Sequence, residues 1–488
     1  MTTTAVAAAA HDGAHILIFP YPAQGHMIPL LDLAHQLATR GLTITVLVTP
    51  RNVPLLKPLL SKHPSITPFV LPFPAHPALP AGVENVKDLP PNGFRPMMSV
   101  LGELQDPIFH WFQSHPSPPE AIISDMFLGW TQHLACRLGI RRFVFSPSGA
   151  MALAVIYSLW RAMPKRDDPN EENHLVPFPD IPSSPVYPWW QLSPIYRSYL
   201  EGDPVSEFIK DGFRADMASW GLVINSFDEL ERVYLEYLLK QLGNDRVWAV
   251  GPLHPPDDED RSKPSERGGS SSVLASKIFS WLDTCGDRTV VYVCFGSQAV
   301  LTNHQMEELA SGLEKSGDRF IWSVKNPTKG HVGGEYGAIP CGFEDRVAGR
   351  GIVIRGWAPQ VAILKHRAVG AFLTHCGWNS VLEGLVAGVP MLAWPMGADQ
   401  FSNATLLVDE LKVAVRVCEG EKTVPNSDEL GRAVREVVGV DGERVGTRVR
   451  AMELQKAALT AIKEGGSSCN NLNRLVRVLS KETFQGGK

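Results

Sequence analysis

No two cysteines form a CxxC pair, and the seven present, at 136, 285, 294, 341, 376, 418 and 469, follow no regular spacing. That excludes a disulfide framework and a structural zinc site, and it points to free thiols in a reducing compartment. No apolar run approaches the ~20 residues that cross a bilayer. The opening MTTTAVAAAAHDGA has an alanine run but neither lysine nor arginine, so it reads as neither a signal nor a transit peptide. The closing KETFQGGK carries no lipid-anchor motif. A basic excess is also missing: 46 Lys and Arg stand against 51 Asp and Glu, a net charge of −5. Nucleic acid and anionic membranes are therefore left without an electrostatic handle. There is no GxGxxG after a strand, no GxxxxGK[ST], no GxSxG, no HExxH and no EF-hand loop, so a dinucleotide dehydrogenase, a P-loop phosphotransferase and a serine hydrolase all lose their usual signal. The expectation is a cytoplasmic chain.

What is present is organised in two halves. A length of 488 residues exceeds one hydrophobic core, and 44% hydrophobic with 20% charged residues is a globular balance. HILIF (15–19) is a short apolar run. From Met27 the apolar residues Leu30, Leu31, Ala34, Leu37 and Ala38 recur at helical spacing up to a stop at Gly41. LTITVLV (42–48) follows, β-branched and apolar almost throughout, as in a strand buried on both faces. Strand, helix and strand in that order predict a βαβ unit with a right-handed crossover. AIIS (121–124), RFVFS (142–146) and LVINS (222–226) continue the strand series. Residues 251–272 (GPLHPPDDEDRSKPSERGGSSS) have linker composition. Beyond them a second series runs through TVVYVCF (289–295), RFIWSVK (319–325), GIVIRG (351–356), VGAFLTHC (369–376), PMLAWP (390–395) and VAVRV (413–417). Two parallel α/β domains facing each other leave a cleft between the carboxyl edges of their sheets, where ligands of open α/β folds bind.

The most informative stretch is the 44 residues from Trp357 to Gln400, WAPQVAILKHRAVGAFLTHCGWNSVLEGLVAGVPMLAWPMGADQ. THCGWNS sets His375 and Gly377 at a strand end, with Asn379 and Ser380 opening a helix. Small residues there let backbone amides approach a ligand, and a helix N-terminus offers free N–H groups and positive potential: a phosphate site. Trp357 leaves the preceding strand beside Pro359 and could present a flat face to a planar base. Glu383, one turn into the helix, could accept two ribose hydroxyls or merely lie on a solvated helix face. Asp399 and Gln400 follow the next strand and could bind further hydroxyls.

This segment resembles, over its full length, the signature box of the plant UDP-dependent glycosyltransferases that act on secondary products. PYPAQGHMIPLLDLA (21–35) is similar to that family's acceptor motif, VVYVCFGS (290–297) to its second phosphate strand, and FIWSVK (320–325) fits as well. Cys294 departs from the usual Ser and is expected to face the core. The resemblance implies a GT-B fold, two Rossmann-like domains across a cleft. It also implies roles for individual residues. Trp357 would stack on uracil, with the Ala358 backbone at its edge. Gln360 and Glu383 would hold the ribose; His375, Asn379, Ser380 and Ser297 would contact the diphosphate; and Trp378, Asp399 and Gln400 would meet the sugar. A terminal Gln such as Gln400 accompanies glucose in the family, where His accompanies galactose.

The acid–base pair is expected in the first half. His26 sits at a strand-to-helix junction, where a neutral imidazole suits a general base. Asp125 ends a second strand at the same sheet edge; it could fix the ring's tautomer and stabilise the imidazolium, or could simply cap a helix. The family's His–Asp dyad matches this pair, whereas His15 and His35 read as ordinary structural residues. Tyr21, Met126, Phe127, Trp130, Met151 and Tyr196 are expected to line the acceptor pocket, with Tyr157, Trp160, Trp189 and Trp190 as further apolar surface. The Pro-rich stretch 176–194 is expected to form a long loop over the cleft.

The expected organisation is a disordered tail at 1–14, an acceptor domain at 15–251, a linker at 252–272, a donor domain at 273–470, and a terminal helix at 471–488 that packs back on the first domain. The expected activity is inverting transfer of glucose from UDP-glucose, as co-substrate, to small lipophilic phenolics such as flavonoids or benzoates, by a monomer with no metal and no other cofactor. The wording of the N-terminal motif is closest to the flavonol and hydroxybenzoate O-glucosyltransferases. Another UDP-sugar donor (rhamnose, xylose or galactose), or a ligand-binding relative without turnover, stays open at this point.

Overall fold

The computed structural model describes residues 13–89, 93–253, 271–327, 335–438 and 445–480. Nearly all of the expected tail, most of the linker and the last eight positions of the terminal segment lie outside the described residues. The strands of the first half are β1 (His15–Phe19), β2 (Thr43–Val48), β3 (Ile66–Val70), β4 (Ala121–Asp125), β5 (Arg141–Ser146), the small hairpin β6 (Leu175–Pro177) and β7 (Val186–Pro188), β8 (Gly221–Ile224) and β9 (Val247–Ala249). Without the hairpin they form a parallel sheet in the order β3-β2-β1-β4-β5-β8-β9. The second half contributes β10 (Val290–Cys294), β11 (Arg319–Val324), β12 (Gly351–Arg355), β13 (Val369–Thr374), β14 (Met391–Ala393) and β15 (Ala414–Arg416). These form a parallel sheet in the order β12-β11-β10-β13-β14-β15.

Each sheet is covered on both faces, which is why its central strands read as unbroken apolar runs. In β1, Ile16 and Ile18 pack with Met27, Leu30 and Leu33 of the first helix, Gln24–Ala38. Leu17 and Phe19 face the opposite layer. Strand order reverses between β1 and β4 in the first sheet and between β10 and β13 in the second. At such a switch point the following loops part in opposite directions and open a crevice at the carboxyl ends of the strands. The loops after all four strands meet at the interdomain cleft.

Two edge strands escape the sequence reading. β3 carries Pro68 inside ITPFV and is mostly exposed, and β9 is only three residues long. Both features are tolerated at a sheet edge and erase the apolar signature of a central strand. The Pro-rich stretch at 176–194 is more ordered than a loop: it folds into the antiparallel hairpin β6–β7 and a single turn at Trp189–Gln191. Among the described residues, no helix is long and apolar enough to cross a membrane.

The last described helix, Ser467–Ser480, leaves the second half and packs on the first sheet. It adds Leu472, Leu475 and Leu479 to the same core as Ile16 and Ile18. Asn471 donates to the Ala249 carbonyl at 3.1 Å, and Arg141 donates to the Val478 carbonyl at 2.9 Å. Leu475 is fully buried there. Leu475→Ala should therefore cost about 2–5 kcal/mol of stability, read as a lowered denaturant midpoint. An unchanged midpoint would mean that this helix does not stabilise the first domain.

Candidate active site

β1 ends at Phe19 and the first helix begins at Gln24, which puts His26 in the first helical turn at the switch point. β4 ends beside it on Asp125, which is fully buried. His26 Nδ1 lies 2.9 Å from Asp125 Oδ2. A carboxylate can only accept, so Nδ1 carries the proton in this bond and Nε2 is the ring nitrogen left for a substrate. The second carboxylate oxygen accepts from Phe127 N at 2.9 Å and caps the turn Met126–Leu128. Asp125 thus serves as both His partner and N-cap, the two roles left open above. The Phe127 ring centre lies 4.6 Å from that of His26, and Tyr21 meets the imidazole edge-on at 5.6 Å.

Behind the pair sits a residue the sequence gives no reason to select. Arg142 is buried inside β5 and donates to Ser124 Oγ at 2.9 Å, to the Asp125 carbonyl at 3.3 Å and to Asp216 Oδ1 at 2.6 Å. Its guanidinium pins the end of β4 from below. Burial pushes the Asp216 carboxyl up and Arg142 pulls it back. From sequence alone, a second arginine at a strand start reads as one more surface charge.

Across the cleft, β10 runs into Gly296 and Ser297, and β13 into His375, Cys376 and Gly377 before the helix Trp378–Ala387. A Cβ at Gly296 would come within 2.6 Å of His375 Nε2, and one at Gly377 within 2.5 Å. Gly296 also has φ +74°. The two glycines leave the room that the imidazole occupies. Desolvation pushes His375 down to about 4, so at neutral pH it supplies an N–H dipole, not a cation, and its Nδ1 has no partner among the described residues. On the adjoining wall Gln360 donates to Glu383 Oε2 at 2.6 Å and to Ser380 Oγ at 3.1 Å, while the Tyr292 hydroxyl donates to Gln360 Oε1 at 3.2 Å. Glu383 therefore faces the cleft and not the outer helix surface. Trp357 and Ala358 line the same region. So does Lys325, whose ammonium donates to the Gln298 carbonyl at 3.1 Å and whose basicity burial lowers.

Several expected residues make contacts that their position in the box does not reveal. The Trp378 indole N–H donates to the Asn225 carbonyl of the first domain at 2.6 Å, and Asn379 Nδ2 donates to the Gly25 carbonyl at 2.8 Å. Both side chains join the halves. The Trp378 indole N–H and one of the two Asn379 amide hydrogens are engaged in these bonds, and both residues still line the cleft. Asp399 Oδ2 accepts from Ser148 Oγ at 2.8 Å and from Asn403 at 3.1 Å. Gln400 Oε1 accepts from the Met396 and Gly397 amides at 2.9 and 3.1 Å, so its NH₂ remains for a ligand. Cys294 packs against the core, as expected, and also reaches the cleft wall. It shares a face with Tyr292 by strand alternation, and that face opens at the strand end.

The acceptor-side expectation is corrected more heavily. Met126 and Phe127 line the cleft. Trp130, Met151 and Tyr196 are buried in the core, the last with its hydroxyl on the Pro164 carbonyl at 2.6 Å. Tyr21 is fully buried behind His26 and Phe127. Tyr157, Trp160 and Trp189 are also core, and Trp190 packs edge-on against Phe401 of the second half. The lining comes instead from Phe94, Ile195, Phe213 and one stripe of the helix Ala150–Ala162, namely Ala152, Val155, Ile156 and Leu159. That stripe has the i, i+3, i+4, i+7 spacing of one helix face, a signal that selection by side-chain size overlooked. The cleft encloses about 1480 Å³.

The family profile described as UDP-glucoronosyl and UDP-glucosyl transferase matches residues 270–443. UDP-glycosyltransferase 89B2 of Stevia rebaudiana is 63% identical over 96% of this chain and 98% of its own length. This chain belongs to the plant UDP-glycosyltransferases. The flavonol 3-O-glucosyltransferase UGT89B1 of Arabidopsis thaliana is 57% identical over 95% of each chain. Among solved structures, Arabidopsis thaliana UGT89C1 complexed with UDP-L-rhamnose superposes with a TM-score of 0.79 at 41% identity, covering 96% of this chain and 100% of that one. The same protein complexed with quercetin gives a TM-score of 0.76 at 40% identity over the same shares. The two-sheet architecture of this glycosyltransferase is accordingly GT-B.

Two outcomes follow for the enzyme. Gly377→Ala should displace the His375 ring and weaken UDP binding by about tenfold or more, a cost of about 1.4 kcal/mol, measured by calorimetry; unchanged affinity would separate the imidazole from the nucleotide site. Because the His375 pKa is lower folded than unfolded, the unfolded chain binds the extra proton. The stability this residue contributes is complete above its ordinary value of 6.5 and falls as pH drops towards about 4. His375→Gln should flatten that part of the stability profile relative to the native enzyme.

Proposed function

We propose that this UDP-glycosyltransferase moves glucose from UDP-glucose to a hydroxyl of a small aromatic acceptor, a flavonol or related phenolic, with inversion at the anomeric carbon and His26 as general base. One observation carries the reading: the His26–Asp125 pair at one switch point faces the Ser297–His375–Gly377 corner at the other, across an apolar cleft. A phenol of pKa ~10 barely ionises at neutral pH, so removing its proton as it attacks accelerates transfer, typically by ~10²–10⁴-fold. His26 Nε2 takes that proton, and Asp125 keeps the ring oriented and balances the imidazolium. The acceptor oxygen bonds to the anomeric carbon as the carbon–oxygen bond to UDP breaks on the opposite face, which converts an α-linked donor to a β-glucoside. Negative charge left on the diphosphate meets the N-terminus of the helix Trp378–Ala387, Ser297 and the neutral His375 N–H.

Two relatives support the substrate classes: one that is 57% identical is a flavonol 3-O-glucosyltransferase, and UGT89C1 has been solved with quercetin. Trp357 stacking on uracil, Gln360 and Glu383 on the ribose, and Asp399 and Gln400 on glucose complete the proposal. The UDP-L-rhamnose complex of the 41% identical UGT89C1 favours a second reading of the sugar, which a donor panel with one flavonol decides. For the central claim, purified enzyme should release UDP from UDP-glucose only when a phenol is present. His26→Ala should abolish transfer and leave UDP affinity within about threefold, a change of about 0.7 kcal/mol. Loss of transfer and binding together would remove His26 from the role of base.

A further inference from the structure

We propose that Arg95, braced by Asp203, reads a neutral oxygen on the acceptor remote from the reacting hydroxyl, so that the cleft selects carbonyl- or hydroxyl-bearing aromatics over both plain hydrocarbons and carboxylates. This deepens the acceptor reading above and rests on it.

Phe127 lies against His26, and the Phe94 ring meets Phe127 edge-on at 5.5 Å, one ring further from the base. Arg95 follows Phe94 in the chain and also lines the cleft. Arg95 Nη2 donates to Asp203 Oδ2 at 3.2 Å and to Ser206 Oγ. Among the described residues its Nε is buried without a partner, and Nη1, which no hydrogen bond engages and which is not buried, is the donor left for a ligand. The neighbouring lining is largely apolar, including Ile195, Val205 and Phe213. A guanidinium with unspent donors among hydrocarbon groups is incompletely satisfied, and a ligand oxygen supplies what is missing. The sign of the preferred group follows from Asp203. That carboxylate is fixed by the Ser206 amide and hydroxyl at 2.9 and 2.8 Å, and these bonds, with Arg95, hold it below the usual carboxylate range. The positive charge is already balanced, so a carboxylate arriving in the same lobe would meet a second anion. A neutral carbonyl or hydroxyl gains the hydrogen bond without that repulsion.

The test uses the full-length enzyme, UDP-glucose and three phenols of matched size: one with a remote carbonyl or hydroxyl, one with hydrogen in its place, and one with a carboxylate. The oxygenated phenol should exceed the plain one in kcat/KM by about tenfold or more, as expected for a hydrogen bond to a charged group, with the difference mainly in KM. Arg95→Met should bring that ratio close to one, and Arg95→Lys should restore part of it. Asp203→Asn keeps an oxygen for the helix cap and unbalances the guanidinium, so it should raise turnover of the carboxylate phenol relative to the neutral one. A native ratio near one, or a ratio that survives Arg95→Met, overturns the inference even while glucosylation proceeds. Should Arg95→Met fail to fold, the native ratio and the Asp203→Asn shift decide. If no phenol is glucosylated at all, the broader functional reading fails instead.

Discussion

The site depends on one side chain that spans the two halves. Asn379 opens the helix that offers its N-terminus to the cleft, and it donates to the carbonyl of Gly25, the residue before His26. The bond ties the start of one helix to the start of another, so His26 and the Ser297–His375–Gly377 corner share a reference point. Trp378, one residue earlier, repeats the tie through Asn225 at the end of β8. Each bond contributes only about 0.5–1.5 kcal/mol net, but leaving a buried partner unpaired costs about 1–3 kcal/mol. Small energies are enough to hold register between halves that are already covered by their own cores.

Around that tie, charge is distributed with economy. In the second domain desolvation keeps His375 neutral and leaves its N–H as a dipole, so this histidine adds no buried cation. The first domain holds its buried carboxylate, Asp125, with one bond to His26 and one to the Phe127 amide, while Arg142 grips the carbonyl of the same residue. Asp399 shows the same habit at the start of the helix Gln400–Thr405, where burial raises its pKa and Ser148 and Asn403 act against that rise. Buried polar groups are costly unless bonded, and here bonding also sets the direction in which each group points.

Much of the fold was legible because its central strands are continuous apolar runs: HILIF is β1 to the residue, and TVVYVCF trims only to Val290–Cys294. Edge strands were not, since Pro68 in β3 and the brevity of β9 leave no periodic signal. In the second half the residue types that face the cleft could be named from the box. In the first half, selection of large aromatics picked core residues such as Trp130 and Tyr196, while the helix stripe Ala152, Val155, Ile156 and Leu159 went unread. Bulk is a poor guide there, because a cleft that must admit a ring is lined where side chains are small enough to leave space.

By itself the sequence determined which segments become strands, where helices start at the sheet edges, and which chemical groups stand at those starts. Backbone propensity and hydrophobic periodicity act over a few residues, so they can be read in place. The His26–Asp125 pair was expected from the family resemblance, but only the tertiary structure decided which further groups meet: Gly25 with Asn379, Asn225 with Trp378, and Arg142 beneath the pair. Those pairs join residues far apart in the chain, and their geometry follows from how two separately formed sheets dock, a matter of packed surfaces that no local pattern encodes.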